Sequence, residues 1–410
     1  MVDGLYLGID FGTATNYVTK WDPERKIAVP VRIDKRLEGD NFFDNVIYYE
    51  SSENRMIGKL AFQRSIDDPL NVVEGIRDKL GRDNWKQMIP SLGCELSSEE
   101  VTEDIFREMK NRVEQIHGGI PVKGVVLGIP FSFQSEEISR LKTASENVGL
   151  SIIKLIEEPV AIAIACGLFD KLSDKKREKV LIFDLGGETS DITIFDLFRQ
   201  SNNVVGIELL YTKTDALGGK RIEDILIKKF EENIGYELAL IPDERQRRKD
   251  HLMLIEAARE VIQNLCADEE DEVFCSGLDG GRIFERKISL REFNKWLRGH
   301  GFISRIKEML QDALDEAGDI DRIILAGGSG NIPIIQSEIQ NFFGQQPELV
   351  GNPAEFIGKG AGIYCGGLLT GNLNYEIITP IGSVSSYDIG LKVGEKFIPF
   401  RNEHEIICPF

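Results

Sequence analysis

A chain of 410 residues, 42% hydrophobic and 29% charged, has the balance of a folded globular protein and exceeds what one hydrophobic core usually organises, so two large lobes with a cleft between them are expected. With 49 basic against 68 acidic residues the net charge is −19, which repels nucleic acid and anionic lipid, and no apolar run reaches the length of a bilayer span. Neither nucleic acid nor a membrane is expected as a partner; the apolar start at Met1 lacks a secretory leader, which points to a cytoplasmic protein, and six scattered cysteines without a C-x-x-C pair read as reduced thiols rather than zinc ligands.

Along the chain, strand-like and helix-like segments alternate, which is an α/β pattern. Strands are predicted at Leu5 to Ile9, Tyr17 to Trp21, Val46 to Tyr49 and Gly124 to Ile129, with an amphipathic helix from Val101 to Ile116. A helix over Ser135 to Val148 and a strand over Ile152 to Ile156 follow, and Pro159 suits the first turn of a further helix through Cys166. The charged stretch Asp170 to Lys179 reads as a crossing between lobes. Beyond it the pattern restarts. Leu7-Gly-Ile-Asp10-Phe-Gly12-Thr13-Ala14-Thr15 and Leu181-Ile-Phe-Asp184-Leu-Gly186-Gly187-Glu188-Thr189 are each an apolar strand ending in Asp, a glycine turn and a second strand, as two lobes opening on the same hairpin would give. Helices over Arg221 to Asn233, Leu252 to Leu265 and Phe302 to Ala317 are predicted, with a very polar run from Asp243 to Lys249 before the second of them and the acidic block Asp268 to Glu272 read as a solvated turn. A buried strand, Arg322 to Leu325, leads into the third glycine turn, Ala326-Gly327-Gly328-Ser329-Gly330-Asn331.

Glycine turns after apolar strands offer backbone N–H groups to phosphate, because no Cβ keeps the backbone away. Thr13, Thr15 and Thr189 add hydroxyl donors, whereas Asp10 and Asp184 would repel phosphate directly and are suited to hold Mg2+ or its waters against it. None of the three turns matches the P-loop or the dinucleotide fingerprint, and no nucleophile with a histidine partner stands out.

The order of these motifs resembles the nucleotide-binding domain of DnaK-type (heat-shock 70 kDa) chaperones, in the actin-like ATPase superfamily. Gly8 to Thr13 is similar to that family's first phosphate loop, Phe183 to Asp191 to its second, Ile156 to Leu168 to its connecting helix, Leu217-Gly218-Gly219 to its second-lobe glycine pair, Leu325 to Pro333 to its adenosine loop, and Asn352-Pro353 with Gly360-Ala361 to its closing helix. The resemblance implies an actin-like ATPase fold, two lobes each carrying a mixed sheet of ribonuclease H-like topology with flanking helices. It divides the chain into lobe I at 1–170, returning with 350–373, lobe II at 171–349, and a linker with the start of a β substrate-binding-like segment at 374–410. The implied cofactors are ATP or ADP with Mg2+, and the implied partners are co-chaperones or client proteins.

Carried over residue by residue, the resemblance puts Asp10 and Asp184 at the metal, Thr189 near the γ-phosphate, Glu158 near the attacking water and Asp191 behind the second loop. Gly12, Thr13, Ala14, Thr15, Gly186, Gly187, Glu188, Gly218, Gly219, Gly327, Gly328 and Ser329 would surround the nucleotide. Several positions depart from the family pattern. The phosphate-gripping lysine falls on Arg77, Glu188 stands in place of a glycine and Ala14 in place of a threonine. The adenosine-contacting helix reads Arg259, Ile262, Gln263 and Cys266, and the arginine of the third loop is Asn331. Pro130 of the interlobe relay is present, while its partner arginine falls on Ile138, beside Arg140. Ser383 to Phe410, with Tyr387-Asp-Ile-Gly390, Gly394 and Phe400-Arg-Asn402, resembles the opening of a peptide-binding β domain. The leading expectation is a slowly hydrolysing Mg-ATP switch of a chaperone. The alternatives are a degenerate nucleotide-binding module acting by protein contacts and an actin-like filament former.

Overall fold

The computed structural model describes residues 4–34, 41–82, 84–172, 177–201, 204–235, 237–279, 281–348, 350–371 and 376–378, with the backbone of short strands at 383–384, 389–393, 396–401 and 406–407. Two mixed sheets are built on the same plan. In the first, the strand Leu5–Phe11 lies between Val122–Ile129, which it pairs in parallel, and Thr15–Asp22, which it pairs antiparallel; Ile152–Glu157 and Ile27–Pro30 extend the two sides. In the second, Arg177–Leu185 lies between the parallel Arg322–Ala326 and the antiparallel Ser190–Ser201, and Val204–Asp215 extends it. The register repeats too. Asp10 sits opposite Tyr17 and beside Gly128, and Asp184 sits opposite Asp191 and beside Ala326. Both central strands are buried on both faces, which explains their continuous apolar reading.

Each sheet has its own core. Leu7, Ile9, Phe11 and Val18 pack with Val101, Ile105, Phe106 and Met109 of the helix Ser98–Ile116. That helix is fixed at its start by a capping box between Ser97 and Glu100, which satisfies two otherwise orphaned N–H groups. In the second core Leu181, Phe183 and Leu185 pack with the helices Gly219–Ile234, Glu244–Asn264 and Phe302–Ala317. A third cluster joins Ile162 and Ala163 of the helix Glu158–Ala165 to Ile182 of the second sheet and to Ala361 and Cys365 of the helix Phe356–Thr370. This last helix lies directly on the first sheet through Gly358, Gly362 and Gly366, one turn apart. A Cβ at these positions would come within 2.5 Å of Tyr17, 2.3 Å of Thr19 and 2.1 Å of Trp21, so any side chain there would lift the helix off the strand behind the first turn. Thr19 adds a hydrogen bond of 2.8 Å to the Gly358 carbonyl.

Several expectations need correction. The helix expected from Leu252 begins earlier, at Glu244, with Asp243 as its N-cap, so the polar run 244–249 is its first turns. The acidic block is not wholly a turn, because Glu270 starts the strand Glu270–Leu278, whose alternate residues face solvent. Of the expected lobe crossing, Leu168–Lys171 is a short helix and Arg177 begins a strand, while 173–176 lie outside the described residues. Near the C-terminus Glu376–Ile378 joins the second sheet in parallel with Val204–Gly206, and Ile377 packs against the third cluster. Asn374, Thr379, Tyr387, Gly394 and Asn402 lie outside the described residues.

Candidate functional site

The three glycine turns meet at the ends of the two central strands. In the first, a Cβ on Gly12 would stand 2.2 Å from the Thr15 carbonyl, so only glycine closes this bend. Asn45 clamps the turn from outside: its side-chain amide donates to the Gly12 carbonyl at 2.6 Å and its backbone N–H to that of Ala14 at 2.7 Å. The second turn is tied to the start of the helix Gly219–Ile234, since Gly219 and Lys220 donate their N–H groups to the carbonyls of Gly186 and Gly187 at 3.0 and 2.7 Å. Gly218 packs flat on it; a Cβ there would lie 2.6 Å from the Gly187 carbonyl oxygen. In the third turn Gly327, at φ 76°, lies against Leu185 and the Asp184 carboxylate, and Ser329 is buried next to Gly219.

The first and second turns face each other closely enough that a Cβ on Gly187 would reach Ala14 Cβ at 2.5 Å. Among the described residues, the N–H groups of Thr13, Ala14, Gly187 and Glu188 donate to no protein acceptor. Backbone donors left free at a glycine turn require water or an anion. Thr15 is exposed beside them, and Gly328 adjoins Ala354.

Beneath the turns lies a set of acids with one cation. Arg77, on the short helical turn Ile76–Lys79, donates through Nη1 to Glu158 Oε1 at 2.8 Å and to the Phe11 carbonyl at 3.2 Å, and through Nε to Thr13 Oγ1 at 3.1 Å. Thr13 passes its hydroxyl proton to Asp78 at 2.8 Å. Burial opposes the charge on Arg77, yet Glu158, Asp10, Asp78 and Asp191 outweigh it and raise its pKa. Asp10 is pushed up to about 7 by burial and by Glu158, against the pull of Arg77. Burial likewise raises Asp184, helped by Glu158, Asp191 and Asp10, and raises Glu158, against Arg77. Asp191 is raised by burial and steadied by hydrogen bonds from Thr214 and from Thr189 Oγ1, the latter at 3.4 Å. A narrow cavity between Pro130, Glu158, Asp184, Asp191, Thr193 and Thr212 opens onto this set.

Four carboxylates against one guanidinium leave negative charge that burial makes costly, the condition under which a divalent cation stabilises a site. Among the described residues no three acidic, histidine or cysteine side chains converge into a ready cage.

The remaining expected residues stand elsewhere. Glu188 turns to Lys220 at 3.3 Å, both partly in solvent. Arg259 pairs with Glu223 at 2.8 Å and reaches Asp44 at 3.6 Å; Gln263 is exposed on the same helix, and Asn331 bonds Asn352 at 3.1 Å. Asn45 was not picked out from the sequence, because a single asparagine before a strand carries no local signal of the turn it holds. A larger open groove of about 540 Å³ beside Ile234 and Phe284 shares no residue with this set and gathers no comparable group of acids.

Paired mixed sheets with facing glycine turns over matched aspartates define an actin-like ATPase fold. Within that class, residues 6–396 match the family model described as Hsp70 protein. The chain belongs to the Hsp70 family, whose members are ATP-binding chaperones. No described helix is long and apolar enough to cross a membrane.

Proposed function

We propose that this chain is the nucleotide switch of a cytoplasmic DnaK-type chaperone, binding Mg-ATP between a lobe formed by 1–170 with 350–373 and a lobe formed by 171–349, and hydrolysing it slowly. The observation that carries the reading is the buried set Asp10, Glu158, Asp184 and Asp191 around Arg77, directly under turns with free N–H groups. Asp10 and Asp184 would hold the ion through its waters, and the ion would screen phosphate charge and orient a phosphoryl group for attack. Arg77 fixes Glu158 through Oε1, which leaves Oε2 to accept from a water. Thr189 and the free N–H groups, that of Thr13 among them, would receive the phosphate oxygens. Clients and co-chaperones are the proposed protein partners, and the strand Glu376–Ile378 on the edge of the second sheet is where a following domain would connect.

Replacing Asp184 with Asn tests the reading. Its carboxylate orients the ion rather than filling the core, so the fold should survive while Mg-dependent ATP hydrolysis falls by on the order of 100-fold in single-turnover assays. A wild-type rate would refute the assignment.

A further inference from the structure

The polar groups of the cleft are unevenly divided. On the phosphate side stand the free N–H groups of Thr13, Ala14, Gly187 and Glu188. The turns are bordered by the helix Glu244–Asn264, whose Arg259 reaches Asp44 next to Asn45, and by Ser329 to Asn331 next to Gly219; a nucleoside whose phosphates lie at the turns would meet these, and there most side chains are already committed to the protein. Arg259 bonds Glu223 of its own lobe at 2.8 Å, reaches Asp44 beside the first turn at 3.6 Å, and lies over the Phe62 ring at 5.3 Å from its centre. Ile262 and Cys266 pack against the second core, with the Cys266 thiol bonded to the Ile262 carbonyl at 3.1 Å. Asn331 is held by Asn352. Gln263 alone presents an amide with no protein partner among the described residues.

Arg259 is one of several links along that helix. Arg245 pairs with Asp67 at 2.6 Å, Arg248 donates to the Ile66 carbonyl at 3.2 Å and Glu256 pairs with Lys59 at 3.4 Å, so the helix meets the 44–67 region at successive turns. A base is selected by hydrogen bonds on its edge, and strong rejection of the wrong base requires site groups that would be left unpaired by it. Here the groups are paired before any ligand arrives.

We infer that the cleft selects its ligand by the polyphosphate and tolerates different bases, with Arg259 acting as a brace between the two lobes rather than as a contact to the base. This rests on the nucleotide-binding reading and names its ligand class as nucleoside triphosphates of either purine or pyrimidine type. A fluorescent ATP analogue displaced from the full chain by Mg2+ complexes of ATP, GTP, CTP and inorganic tripolyphosphate gives the test. ATP, GTP and CTP should compete within about fivefold of one another and tripolyphosphate within about tenfold of ATP, because one uncommitted amide and the Ser329 hydroxyl supply little discrimination. Arg259→Gln and, separately, Asp44→Asn should weaken the three nucleotides by a common factor, leaving their ratios unchanged. ATP preferred over GTP and CTP by 100-fold or more, or an Arg259→Gln change in those ratios beyond about tenfold, overturns the inference while leaving nucleotide binding intact. Failure of all four ligands to bind removes the proposed function and this inference together.

Discussion

Arg77 is the single cation among the buried acids, so its removal should be felt by the whole set. The Arg77–Glu158 contact of 2.8 Å, with both side chains largely buried, carries a Coulomb attraction of about 6 kcal/mol at an effective dielectric of 20. Desolvation cancels much of that as net stability. Losing one partner is another matter: Arg77→Met leaves Glu158 facing Asp10, Asp184 and Asp191 without a counter-charge, and breaking a buried pair this way costs about 3–5 kcal/mol. Glu158→Gln should cost less, roughly 1–3 kcal/mol, because Asp10, Asp78 and Asp191 still surround the guanidinium. The double variant should be more stable than additivity predicts by about 2 kcal/mol, since neither charge is then orphaned. Urea unfolding followed by circular dichroism, in EDTA, gives all four corners of the cycle. Added Mg2+ should then recover more stability in Arg77→Met than in the parent, because a cation entering the set relieves the exposed repulsion. Additivity within about 0.5 kcal/mol would refute the argument that this pair governs the charge of the cleft floor.

Glu188, which stands within the second glycine turn, pairs with Lys220 at 3.3 Å and shares its solvent exposure, so its charge is spent and screened before it reaches a phosphate. Glu188→Gln should therefore change Mg-ATP affinity by less than about threefold at low salt, and a tenfold gain by calorimetry would show that repulsion governs. Away from the cleft, Glu338 accepts from Lys307 at 2.6 Å and from Arg298, contacts that hold its carboxyl below the usual 4.5. Its contribution is thus present above that ordinary value and is lost as pH falls through the depressed one. Glu338→Gln should cost about 1.5–3 kcal/mol at pH 7 and progressively less below pH 4, a difference that chemical unfolding at two pH values would show. A cost that stayed constant into acid would place the effect in packing rather than charge.

What the sequence disclosed and what it hid divide by the range of the interaction responsible. Asp10 and Asp184 were legible because strand, acid and glycine turn follow one another locally, and the same local order occurs twice; their equivalent register positions are the spatial form of that repeat. Buried strands such as Arg322–Ala326 were legible by apolarity, and the helix Phe302–Ala317 by its period. The start of the helix Glu244–Asn264 was missed because 244–249 is wholly polar and the apolar period begins only at Leu252. Asn45 and Arg259 were beyond local reading for one shared reason. Asn45 acts on a turn more than thirty residues before it, and Arg259 reaches an aspartate of the first sheet. Their partners decide what they do: at the same helical position an unpaired arginine would be a ligand for phosphate or base, whereas one held by Glu223, Asp44 and Phe62 is part of the scaffold. A residue type at a recognised position therefore fixes a candidate role only when the charges facing it are also known, and those charges separate Arg77, which serves the buried acids, from Arg259, which ties the helix Glu244–Asn264 to Asp44 of the first sheet.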